Sequence, residues 1–121
     1  MSRIAITSEG PSLEDQVDPR FGRAAGFVVV DLETLDTRYI DNGQSQVMAQ
    51  GAGIQAAELV ARAGVKCLLT GYVGPKAFQA LSAAGIEVGQ NLEGMTVREA
   101  VERFKSGQVE MAKAANRETG R

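Results

Sequence analysis

The chain has 121 residues, a formal net charge of -2, 44% hydrophobic residues, one cysteine and no histidine. That length fits one domain with a single real core and is too short for two. The missing histidines and the lone Cys67 exclude an internal disulfide and the His/Cys ligand sets of ordinary zinc, iron-sulfur and copper sites, so any metal cargo has to bring its own ligands.

In chain order, residues 4–7 are short and β-prone and stop at Ser8-Glu9-Gly10-Pro11, which predicts a first strand closed by a turn. Residues 26–31 predict a second strand and 38–41 a third, and the short polar connection at 33–37 favours an antiparallel hairpin. After a loop over 42–50, residues 54–63 read as a helix with Gly64 just past its end, where a left-handed cap is wanted. Residues 65–70 predict a buried strand. A helix over 75–84 follows with Pro75 at its first position, and Gly85 caps it before a strand at 86–88. In the last helix Thr96 and Glu99 form a capping box, Val97, Ala100, Val101 and Phe104 share one face, and Ser106-Gly107 ends it. From Gln108 onward the sequence is polar and alanine-rich, so residues 108–121 read as a frayed or disordered tail behind an α/β domain of residues 1–107.

This order predicts a single α/β domain whose five-stranded mixed sheet has one antiparallel strand and is flanked by helices. The first strand and the strand ending at Gly71 should be central, because both are apolar and both lead into glycine-rich loops. Ligands of such open sheets sit beyond the carboxyl ends of the strands.

Three loops carry the candidate chemistry. Gly71-Tyr72-Val73-Gly74-Pro75-Lys76 follows a buried strand and opens a helix, so backbone N–H groups and the positive helix end face one place, with the Lys76 charge in the first turn. A tight strand-to-helix turn with a solvated Lys76 is the plain alternative. Gly51-Ala52-Gly53-Ile54-Gln55-Ala56 imitates the dinucleotide fingerprint, but it follows a polar loop instead of a strand, and Gly71 stands where an acidic ribose ligand belongs. Its glycines otherwise allow close backbone approach at a helix start. In the segment Asp18-Pro19-Arg20-Phe21-Gly22-Arg23, two guanidiniums flank an aromatic residue expected to be exposed, and Asp18 can orient one of them. That set suits a polarizable, partly apolar anion. Equally open is a structural reading in which Phe21 plugs the end of the sheet and Asp18 pairs with Arg20.

Cys67 lies inside a predicted strand and reads as a small core residue, and the soft thioether of Met48 is near the pocket without being assigned as a ligand. Glu9, Glu14, Asp15 and Asp18 read as a solvated acidic loop. Residues 1–50 carry 4 basic and 8 acidic groups and residues 51–121 carry 9 and 7, so neither half has the excess of a nucleic-acid binder. Apolar runs fall far short of the roughly 18 residues of a membrane span. No apolar signal stretch follows Met1-Ser2-Arg3, so a cytoplasmic protein is expected. Without histidine no ordinary nucleophile-base pair can be built, and no enzyme activity is expected.

The run from Asp18 to Ala24, then Gly51-Ala52-Gly53-Ile54-Gln55-Ala56-Ala57, then Leu68-Leu69-Thr70-Gly71-Tyr72-Val73-Gly74-Pro75-Lys76-Ala77-Phe78, resembles the dinitrogenase iron-molybdenum cofactor-binding family over about residues 3 to 105. The resemblance implies a ribonuclease H-like α/β motif without nuclease chemistry. It also implies noncovalent binding of a molybdenum-copper sulfide cluster, with Arg20, Phe21, Gly22, Arg23, Gly51, Ala52, Gly53, Gly71, Tyr72, Val73, Gly74 and Lys76 as the cofactor-binding set. Partners would be the anionic cluster and other proteins of its pathway. Relatives dedicated to the nitrogenase cofactor can offer a histidine or cysteine, and the loops here have neither. A carrier for an iron-molybdenum cofactor is the first rival reading, and an interaction module without a cofactor is the second.

Overall fold

In the computed structural model, which describes residues 3–48, 50–113 and 115, the chain runs β1 (Arg3–Ser8), β2 (Gly26–Asp31), β3 (Thr37–Asp41), α1 (Gly43–Gln46), α2 (Ala52–Arg62), β4 (Cys67–Leu69), α3 (Pro75–Ala83), β5 (Glu87–Gln90), α4 (Val97–Lys105) and β6 (Glu110–Met111). It is a single-domain α/β fold with one mixed sheet in the order β3-β2-β1-β4-β5-β6. The strand pairs β1/β4 and β4/β5 are parallel, whereas β2 and β6 run against their neighbours.

β1 and β4 are the middle pair, as their apolar runs require of strands buried on both faces. The two-residue period of a strand divides their side chains between two cores. Ile4, Ile6, Val28, Val30, Cys67 and Leu69 face Val97, Ala100 and Val101 of α4. Ala5, Phe27, Val29 and Leu68 face Ala56 and Val60 of α2 and Ala77 and Leu81 of α3. The molecule is thus three layers, with α2 and α3 together on one side.

The hairpin of β2 and β3 forms where it was expected, and Asp31 Oδ1 fastens its turn by accepting from the N–H groups of Glu33 at 2.8 Å and Thr34 at 3.2 Å. Those two donations hold the Asp31 carboxyl below its ordinary pKa. Gly64 and Gly85 take the left-handed conformation after α2 and α3, with φ of 75° and 76°. The capping box of α4 is complete: Thr96 Oγ1 accepts from Glu99 N at 3.1 Å, and Thr96 N donates to Glu99 Oε1 at 2.8 Å.

Three expectations need correction. The sheet has six strands, and two of them run antiparallel to the rest. The extra strand, β6, lies within the segment read as a frayed tail. At Gly89 a Cβ would meet Val109 Cγ1 at 2.5 Å and Leu69 Cδ2 at 2.6 Å, so the bare backbone of β5 leaves room for the returning chain. The Glu110 carboxylate then accepts from Gln90 Nε2 at 2.6 Å and Asn91 Nδ2 at 3.1 Å. The rest of that tail, Ala114 and residues 116–121, lies outside the described residues. The supposed loop over 42–50 contains the four-residue α1, and α2 starts at Ala52, so Gly53 is inside its first turn. Among the described residues no helix is long and apolar enough to cross a membrane.

Candidate functional site

β1 and β4 end side by side, and a buried threonine stands at each end: Thr7 is the last residue but one of β1, and Thr70 directly follows β4. Thr7 Oγ1 lies 2.7 Å from the Asp18 carbonyl and 2.9 Å from Thr70 Oγ1. With its single proton given to the carbonyl, Thr7 accepts from Thr70. Asp18 N also donates to Thr7 O at 3.0 Å, so the strand ends grip the start of the arginine loop directly.

Asp18 is 2% exposed and organises that loop with its carboxylate. Oδ1 accepts from Arg20 N at 3.1 Å and stands 3.4 Å from Arg20 Nε, while Oδ2 accepts from Ala25 N at 3.2 Å. The Arg20 side chain, 47% exposed, is held at its base and leaves its head toward solvent. A short parallel ladder joins this loop to the one after β4: Tyr72 N donates to Pro19 O at 2.9 Å, and Phe21 N donates to Tyr72 O at 3.3 Å.

The three motifs then lock together through missing side chains. A Cβ on Gly71 would stand 2.5 Å from Pro19 O, one on Gly22 would stand 2.9 Å from Gly53 Cα, and one on Gly53 would stand 2.9 Å from Ala77 Cβ. Contacts that close bring the starts of α2 and α3 against each other and against the arginine loop. Both helices begin on glycine, Gly51 with φ of 78° and Gly74 in extended backbone, and neither start has a side-chain cap or an acidic residue in its first turn. The contrast with the fully capped α4 is the main electrostatic fact of the site. First-turn N–H groups have no partner within a helix and carry its positive end, so two such starts side by side favour an anion. Lys76 is exposed in the first turn of α3 and adds a full positive charge.

The cofactor-binding set read from the sequence therefore comes together in space, though its members differ in what they present. Gly22, Gly51, Gly53, Gly71 and Gly74 offer backbone, and Tyr72 is half-buried. Ala52 and Val73 turn their side chains into the protein, at 6% and 1% exposure, and also offer only backbone. Phe21 is not exposed as expected: it is 2% exposed, with its ring centroid 5.7 Å from that of Phe27. The aromatic residue closes the core beneath the loop, and Asp18 pairs with Arg20. Arg23 Nη1 donates to the carbonyls of Gln46 at 3.0 Å and Met48 at 2.7 Å.

Sequence reasoning missed Thr7, Thr70 and Asn42. The threonines had a signal, a hydroxyl at the end of an otherwise apolar strand. Asn42 had only an Asn-Gly turn signal, which says nothing of where its amide reaches. Cys67 is at the opposite end of β4, in the α4-side core, and burial together with the Glu87 charge pushes its thiol up to about 12. Among the described residues no group of three or more Cys, Asp or Glu side chains could hold a metal ion.

Residues 1–107 match the family described as dinitrogenase iron-molybdenum cofactor, and the chain belongs to that family. It is similar to the apo form of the orange protein from Desulfovibrio gigas, with 65% identity, a TM-score of 0.94, and coverage of 97% of this chain and 98% of that one. A Thermotoga protein of the DUF35 family, solved by NMR, is 35% identical with a TM-score of 0.83 at coverages of 97% and 98%. A curated relative from Methanocaldococcus jannaschii of no stated function is 26% identical over 102 residues, which span 83% of this chain and 86% of that protein.

Gly71→Ala must push Pro19 away and part the ladder between the two loops. Thermal unfolding should show a loss of about 1 to 3 kcal/mol, the usual result of overpacking, and an unchanged stability would contradict the contact. Cys67→Ala should cost about 1 kcal/mol at neutral pH for a small buried group. Because the folded thiol titrates near 12 and the unfolded one near 9.0, the thiol's stabilisation is complete below pH 9 and is lost toward pH 12. Denaturation of both proteins across that range should find their stability gap narrowing as pH rises.

Proposed function

We propose that this protein holds a preformed anionic molybdenum-copper sulfide cluster noncovalently, in the space bounded by the starts of α2 and α3 and the arginine loop. One observation carries the reading: two glycine-capped helix starts without side-chain acceptors meet at Gly53 and Ala77, beside the partly exposed Arg20 and the exposed Lys76. Family membership and the likeness to the orange protein support it. Apolar surface for the soft sulfide faces is at hand in Val47, 84% exposed, and Ile54, 43% exposed in the first turn of α2. Binding of this kind uses charge, amide donors and dispersion, and the metals keep their sulfide ligands. The role is that of a carrier and not a catalyst, in the cytoplasm, and the ribonuclease H-like description of the fold belongs to the same proposal.

The family's own description favours a second reading, in which the cargo is an iron-molybdenum cofactor. Metal analysis separates the two. Apo-protein mixed with tetrathiomolybdate and copper should give a coloured complex that survives desalting, and neither reagent alone should do so. Protein purified with iron and molybdenum together would establish the second reading instead. Tight binding of bare copper or zinc by the folded apo-protein would contradict both. Arg20→Ala should weaken cluster retention by about tenfold, the worth of one hydrogen bond to a charged group. The loss should be greater at low salt, since 0.1 M salt screens exposed charges beyond about 10 Å.

A further inference from the structure

Arg23 and Asn42 tie two segments together, each donating to the backbone of the segment that carries the other. From the arginine loop, Arg23 Nη1 gives hydrogen bonds to Gln46 O at 3.0 Å and Met48 O at 2.7 Å. In return Asn42 Nδ2 gives hydrogen bonds to Gly22 O at 3.2 Å and Ala24 O at 2.9 Å, and Asn42 N gives one to Ala25 O at 2.9 Å. Asn42 is 1% exposed and its Oδ1 has no hydrogen-bond partner. An acceptor left unpaired in the interior is a cost, and a polar side chain kept there is kept for its two donors. Asn42 also starts α1 without using its side chain as a cap, because the amide is engaged across the gap.

We propose that Arg23 and Asn42 are positioning residues forming a two-way latch, which sets segment 42–48, and with it Val47 and Met48, against the mouth of the site. Arg23 then serves the cargo through this segment and not through its charge. This rests on the cluster-binding reading above, in which Arg20 and Lys76 supply the charge. The distinction is chemical. A guanidinium spreads two N–H bonds of one nitrogen in a plane to reach two carbonyls, whereas an ammonium on a shorter stem keeps the charge and loses that fork.

The test compares wild type, Arg23→Lys, Arg23→Gln and Asn42→Ala in two measurements. The first is amide hydrogen exchange of the apo-proteins. All three variants should exchange faster at Gln46 and Met48, the Arg23 variants by about tenfold or more, as loss of hydrogen bonds from a charged group implies, with β1 and β4 protected as before. The second is release of the cluster reconstituted from tetrathiomolybdate and copper, followed at two salt concentrations. Arg23→Lys and Arg23→Gln should release it faster by the same factor, with the salt dependence of wild type. If Arg23→Lys retains the cluster like wild type while Arg23→Gln loses it and flattens the salt dependence, Arg23 is a charge contact and the latch is wrong. Unchanged exchange at Gln46 and Met48 also overturns it. Should wild type itself fail to hold the cluster, the function proposed above falls, and the apo exchange still decides the latch. Should Asn42→Ala not fold, the two Arg23 variants decide it alone.

Discussion

Everything distinctive about this protein depends on how closely two helices can start to one another. α2 and α3 meet where a Cβ on Gly53 would stand 2.9 Å from Ala77 Cβ, so the junction admits no side chain at that position. Two consequences follow from that one contact. The helix dipoles and first-turn N–H groups of both helices are concentrated in one small region. The arginine loop must also pass over that region on bare backbone, at Gly22 against Gly53 and at Gly71 beneath Pro19. A side chain at any of these glycines would part the segments that build the site.

The sheet supplies the rigid base for this junction. Thr70 and Thr7 bond to each other at the ends of the two central parallel strands, and Thr7 bonds the carbonyl of Asp18, whose carboxylate shapes the loop above. The two faces of the sheet do different work. The α4 face contains Cys67 and a helix whose capping box is complete. The face under α2 and α3 leads to helix starts with no side-chain caps. A soft metal offered a thiol would look to Cys67, but that sulfur is buried, protonated and directed into the other core.

The elements were legible in the sequence where local chemistry decides them. The β2 to β3 hairpin, Pro75 at the first turn of α3, the left-handed Gly64 and Gly85, and the Thr96/Glu99 box all depend on neighbouring residues, and all are where the sequence places them. The gathering of three glycine-containing loops was legible through family resemblance. Errors arose where a distant partner decides. β6 pairs with β5 beside Gly89, whose missing side chain leaves room for Val109, and nothing in residues 108–113 reveals that. Phe21 looked like a surface aromatic because its loop is polar, but the core around Phe27 needed a lid. The hydrogen bonds of Arg23 were hidden for the same reason, since its carbonyl acceptors at Gln46 and Met48 are more than twenty positions away.

The central claim is that the cargo sits at the joined starts of α2 and α3. The most direct check is to follow backbone amide resonances while the apo-protein is titrated with the preformed molybdenum-copper sulfide cluster. The account predicts the largest shifts at Gly51, Gly53, Gly74 and Lys76 and in the loop from Arg20 to Gly22, with Arg3, Lys66 and Cys67 at the far end of the sheet unmoved. Shifts centred on Cys67 and its neighbours, with the helix starts unaffected, would contradict it.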